Sequence, residues 1–393
     1  MDVGLSTQQK GPEGVNVGTT LSAEQFYQHD PLLMLLKVKW RLNDFWVIAG
    51  VMLLPGAVYL LWWFWGEYVT KVHFWLLGDT VGALLQTLVC FPLLFMIYLL
   101  LPTSIAGLFN TLRANGVIGE SRKDRSGSES YEDFLQQLVA WTDSSWWAAA
   151  GLTVVVLYLF YRLVLIDPYT ATPVPFWQRA IANIVFSPLL YITIMSITRL
   201  LLALVFTNWL FYRFTILIKP LHPDDSGGLG ALGSLLWISV LTMFWDALFL
   251  STIIISIAKT LISPLEIVLL ACIYLALTPS LLVGWLFLPH QVMVKARDEA
   301  LLPLTDQFRE TFQQTLPSAA DDTATIVAGT SRLSALKERY DLVQDTFPTW
   351  PLEVRELRRV VATGSLPALL PFLLPLLPQL ISFVGRLAGI PLK

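Results

Sequence analysis

The stretch AIANIVFSPLLYITIMSITRLLLALVFTNWLF, Ala180 to Phe211, decides the class of the fold. It carries a single charged side chain, Arg199. About 20 apolar residues cross a hydrocarbon core of roughly 30 Å as a helix, so this run is long enough to span a membrane with tilt or to continue beyond it. Six further runs of the same character are Phe45 to Trp65, Val81 to Leu101, Trp146 to Ile166, Leu235 to Ile257, Ile267 to Leu288 and Leu366 to Ala388. Together they predict an all-α, polytopic integral membrane protein of about seven transmembrane helices. The last run contains Pro367, Pro371, Pro375 and Pro378, each of which removes a backbone donor. It reads either as a span or as a re-entrant segment.

Composition agrees. Of 393 residues, 55% are hydrophobic and 14% charged, against about 25% charged in soluble domains, and the mean hydropathy is +0.62. Fifteen tryptophans suit a chain with many ends at the headgroup level. A net charge of -3 argues against a nucleic-acid partner. Cys90 and Cys272 lie in apolar runs and offer no disulfide framework.

Cytoplasmic loops carry the excess of Lys and Arg. With the N-terminus inside, 19 of the 26 fall on the inner side, five on the outer, and Arg162 and Arg199 within spans. The expected location is a bacterial inner or plasma membrane, multi-pass, with the C-terminus outside if the last run spans. Residues 1–43 form a cytoplasmic tail ending in an interfacial stretch, Asp30 to Trp40. Residues 44–288 form a membrane domain of about six helices, 289–365 a cytoplasmic helical hairpin plus a surface helix, and 366–393 the Pro-rich membrane segment. In the hairpin, Leu301, Leu304, Phe308 and Phe312 make one stripe. Leu333, Leu336, Tyr340, Val343 and Phe347 make a second. Both recur at helical spacing, so they should bury each other. Arg355, Arg358 and Arg359 then suit anionic lipid at the inner face. A homo-oligomer and a cytoplasmic protein partner for the hairpin are the other partners considered.

Ionisable groups at bilayer depth are costly and face partners or aqueous cavities. Arg199 and Asp246 each lie about eleven residues into consecutive antiparallel runs, roughly 1.5 Å per residue, and so at matching depth. They suggest either a structural ion pair or a polar transport path. Between those runs lies KPLHPDDSGGLGALG, Lys219 to Gly233. His222, Asp224 and Asp225 supply an imidazole and two carboxylates that suit a divalent cation. The glycines alternatively suit an anion at the helix start, and Pro-Asp-Asp-Ser-Gly-Gly is equally good turn and cap chemistry. No phosphate-binding loop, His-Glu-x-x-His or Gly-x-Ser-x-Gly occurs, and no resident cofactor follows. The functional expectation is an ion channel or transporter with an Arg199/Asp246 path and the His222 to Gly233 loop at its mouth. The alternative is a non-transporting signalling or scaffold protein acting through the hairpin. An enzyme is the weakest reading, for want of a nucleophile.

Overall fold

Apolar runs of this length have one way to satisfy their backbone in lipid, the continuous helix, and the described residues follow it: 82% of them are helical and 2% strand. The computed structural model describes residues 20–43, 45–50, 53, 57, 89–121, 130–166, 176–220, 222–257, 264–318 and 323–350. Most of the run from Phe45 to Trp65, the charged loop before Tyr131, the arginines at 355, 358 and 359, and the run from Leu366 to Ala388 lie outside these residues.

The helices are α1 (Phe91–Ala114), α2 (Tyr131–Thr142), α3 (Ser145–Phe160), α4 (Phe176–Arg213), α5 (Leu232–Ile257), α6 (Pro264–Ser318) and α7 (Thr323–Thr346). Two short strands, β1 (Ile118–Ser121) and β2 (Phe214–Ile216), pair antiparallel with Ile118 opposite Ile216 and Ser121 opposite Phe214. Among the described residues, three helices are long and apolar enough to cross a membrane: Phe91–Ala114, Tyr131–Leu165 (α2 running on through α3) and Ser187–Arg213 within α4.

Helix α1 packs on α4 and α5, and α6 packs on the same two. The four therefore close a ring in the order α1, α5, α6, α4, and α4 and α5 are diagonal rather than adjacent. The consecutive apolar runs that carry Arg199 and Asp246 are thus not packing neighbours, because α1 and α6 stand between them. Close approaches lock the ring. A Cβ on Gly284 of α6 would come within 2.7 Å of Leu204 Cδ2 on α4, so a larger residue there would have to push the Leu204 side chain aside. The buried Trp245 Nε1 donates to Cys90 O at 2.7 Å, tying α5 to the start of α1. Helix α3 lies outside the ring on α4 and exposes Val156, Leu157 and Phe160 by 57–62%, as a lipid-facing helix would.

The ribbon fixes the polarity of the bundle. β1 follows α1 and β2 follows α4, so these helices run parallel and end at one face. Phe134 of α2 seals this end, meeting Phe109, Phe206, Trp209 and Phe214 at ring-centroid distances of 5.7–6.3 Å.

The hairpin follows its expected pattern on one side only. On α7, Leu336 and Phe347 are buried and Leu333, Tyr340 and Val343 partly so. On α6, Leu301 is buried and Leu304 partly so, but Phe308 and Phe312 are exposed and stack on each other. Thr311, buried, and Thr315 take their place. Thr315 sits opposite Gly329, where an added Cβ would lie 2.6 Å from Thr315 Cγ2. A threonine face against a glycine lets the backbones come closer than two phenylalanines would. α6 is continuous from Pro264 to Ser318 through Pro279, Pro289, Pro303 and Pro317, held along its length by α4, α5 and α7.

Candidate functional site

Arg199 is the largest charged side chain in the core, 2% exposed. Its carboxylate is Asp30, itself buried, with Nη2 2.9 Å from Oδ2. The origin of this pair is local. Asp30 caps the helical turn Pro31–Leu33, where proline at the first position presets the backbone. Its Oδ1 accepts from Leu32 N at 3.0 Å and Leu33 N at 3.2 Å. Tyr98 Oη on α1 donates to Oδ2 at 2.6 Å, and Tyr191 Oη on α4 reaches Oδ1 at 3.4 Å. The Arg199 guanidinium also lies 5.6 Å from the Tyr98 ring centroid. Asp30 thus has five donors. Arg199 has one acceptor: its Nε and Nη1 are buried without a hydrogen-bond partner among the described residues, as is Ser196 Oγ one turn earlier.

The ribbon accounts for the meeting. Tyr98 lies sixteen residues before the end of α1 and Arg199 fourteen before the end of α4, or about 24 and 21 Å at 1.5 Å per residue. Parallel helices ending together bring these positions level. The N-terminal segment then climbs from the ribbon end to that depth. Asn110 grips Leu21 with two 2.9 Å bonds, donating to its carbonyl and accepting from its N–H. His29 pairs with Asp143 between α2 and α3, Nδ1 to Oδ2 at 2.8 Å. Asp30 and Leu33 are consequently inside the bundle, whereas Met34, Val38 and Trp40 remain 50–57% exposed. The stretch read as interfacial is therefore an inserted segment at its beginning and a surface one only at its end.

Asp246 lies on α5, and its side chain is outside the described part of the structure.

In the loop before α5, Asp224 organises the turn. Its Oδ1 accepts from Ser226 N at 3.1 Å and Gly228 N at 3.0 Å, and Oδ2 from Gly230 N at 2.9 Å. His222 Nδ1 stands 2.7 Å from Oδ1. Burial pushes the Asp224 carboxyl up, but the N–H groups of Gly228, Gly230 and Ser226, with His222, outweigh it and hold the group below its usual range. Gly228 has φ +93°, and a Cβ there would come within 2.4 Å of Val117 Cγ2. Asn115 Nδ2 donates to Gly228 O at 2.9 Å. The loop is therefore stapled to the end of α1. No group of three His, Cys, Asp or Glu side chains able to hold a metal ion occurs among the described residues. His222 and Asp224 meet, but the Asp224 oxygens are engaged by their own backbone amides, and Asp225 is exposed.

The hairpin base reaches the same face. His290 Nδ1 donates to Thr349 O at 2.7 Å, and its ring stacks on Trp350 at 4.1 Å. Pro348 adjoins Gly227. An open groove of about 420 Å³ runs along α6 beside His290, Val294, Lys295 and Leu302.

Sequence reasoning found Arg199 by its charge within an apolar run, but missed Asp30, Tyr98 and Tyr191. One signal was present for Asp30: an acid immediately before Pro-Leu-Leu is a helix cap at an apolar turn. No known protein family, curated protein or solved structure matches this chain.

Proposed function

We propose that this chain is a multi-pass membrane protein of the channel or transporter class, with about seven spans and the N-terminus on the cytoplasmic side. Arg199 is its functional charge. The observation that carries this reading is the under-satisfied guanidinium: a cation placed within a span, paired with one carboxylate and holding two unspent donors, costs more than a structural ion pair needs to cost. Asp30 holds Arg199 in the resting arrangement, and Asp246 on the diagonal helix is its partner on the path. The face with the ribbon, the His222 to Gly233 loop and the hairpin base forms the mouth, and the positive-inside distribution of Lys and Arg supports its being cytoplasmic.

The test is ion flux in liposomes containing the purified full chain. Protein-dependent flux of at least one common ion is expected, altered by Arg199→Gln and Asp246→Asn in protein that still elutes as the native species. No flux from the parent, or flux indifferent to both substitutions, defeats the reading.

A second reading, a scaffold acting through the hairpin, is favoured by one observation. Leu302, Val327 and Leu342 are 62–64% exposed and Phe312 47%, which is apolar surface suited to a protein partner. Deleting α7 would then remove a co-purifying partner, and a preparation with no partner would count against it.

A further inference from the structure

The Asp30–Arg199 site limits what could pass it, and the following rests on the transport reading above. Consider a metal cation first. It needs free oxygen lone pairs, but the Asp30 oxygens already accept from Leu32 N, Leu33 N, Tyr98, Tyr191 and Arg199. It would also have to sit beside the Arg199 charge. An oxyanion fares little better. Nη2 is taken by Asp30, and Nε and Nη1 point from opposite edges of the guanidinium, so no single carboxylate or phosphate can engage both. Any anion would add to a pair that is already neutral and leave a buried net negative charge. What remains is chemistry one oxygen atom at a time: Nε and Nη1, with three N–H groups between them, and the Ser196 hydroxyl, all buried and calling for partners of the size of water.

We infer that the species passed at this site is the proton, carried between Asp30 and the hydroxyls of Tyr98 and Tyr191, with water on Arg199 and Ser196 completing the relay. The step is balanced in O–H bonds alone. A neighbouring hydroxyl or water gives its proton to Asp30 as it takes another from its own side, and the Asp30 O–H bond then breaks as the proton passes to a water oxygen on the other side. While Asp30 is protonated, Arg199 has lost its counter-charge, which drives the proton onward. The groups facing Asp30 are Tyr98 from α1 and Tyr191 and Arg199 from α4. His29, beside it in sequence, is turned to Asp143.

The experiment uses the full chain in liposomes with a pH-sensitive dye inside and a potassium diffusion potential as driving force. Protein-dependent proton flux is expected, slowed about tenfold by Tyr98→Phe and by Ser196→Ala, and slowed when deuterium oxide replaces water. Because Asp30→Asn endangers folding, these two milder substitutions carry the test in protein of native elution and helix content. Proton flux that both leave unchanged overturns the inference. Potassium or chloride flux without proton flux also overturns it, while leaving a transporter. Absence of flux for every ion overturns the transport reading and this inference with it.

Discussion

Removing either half of the Asp30–Arg199 pair should have unequal consequences. Asp30→Asn neutralises the one acceptor, among the described residues, of a guanidinium that is 2% exposed, leaving a buried cation unpaired, for which the expected cost is about 3–5 kcal/mol. In Arg199→Gln the carboxylate keeps four other donors, from Leu32, Leu33, Tyr98 and Tyr191. Its charge stays solvated by hydrogen bonds, and the cost should be about 1–3 kcal/mol. In the double substitution no charge remains to be desolvated. It should be no worse than Asp30→Asn alone, which means a coupling of at least about 1–3 kcal/mol between the two positions. The assay is detergent-driven unfolding in mixed micelles, followed by tryptophan fluorescence and helix content. Two outcomes refute the reasoning: Arg199→Gln costing as much as Asp30→Asn, or the two costs simply adding.

Three further outcomes are expected. Asn110→Ala removes both bonds to Leu21 and should free residues 20–29 at a local cost of about 1–3 kcal/mol, measured as faster amide exchange there with the ring of helices unchanged. Gly228→Ala places a methyl against Val117 in a left-handed backbone and should destabilise the loop by about 1–3 kcal/mol, read as a lower melting temperature; a neutral result would mean the loop shifts freely. Asp224 has its carboxyl held low in the folded state, so it stabilises fully above the ordinary aspartate value of about 3.9 and loses that contribution as pH falls through the lowered value. Asp224→Asn should accordingly be less stable than the parent at pH 7, with the gap narrowing on acidification below about pH 4; a gap independent of pH would contradict the assignment.

What was legible in the sequence was what repeats locally. Length and hydropathy gave helices, and the α7 stripe from Leu333 to Phe347 was right because its period is the helix's own. Phe308 and Phe312 misled because periodicity marks a face without saying what the facing helix tolerates, and Gly329 invited Thr315 instead. The prolines of α6 do not break it: each costs one backbone bond, and packing against three helices outweighs it. Arg199 was conspicuous as a lone charge, but its partner was not. The depth argument chose an acid on a neighbouring run, whereas pairing depends on which helices end together, and the β1–β2 ribbon that sets this is only a few residues long. For the His222 to Gly233 loop, the residue types were read correctly, but their orientation was beyond sequence: Asp224 turns inward to its own amides.

The inserted N-terminal segment has a consequence for how the protein is made. Asp30 precedes Tyr191 and Arg199 by more than 160 residues, so it leaves the ribosome well before them. Until α4 is in place, the acid has no counter-charge and no reason to leave water. The segment around Asp30 therefore settles only once α4 has formed. Its docking would then report that α1 and α4 already stand side by side in register, a built-in completion signal for biogenesis.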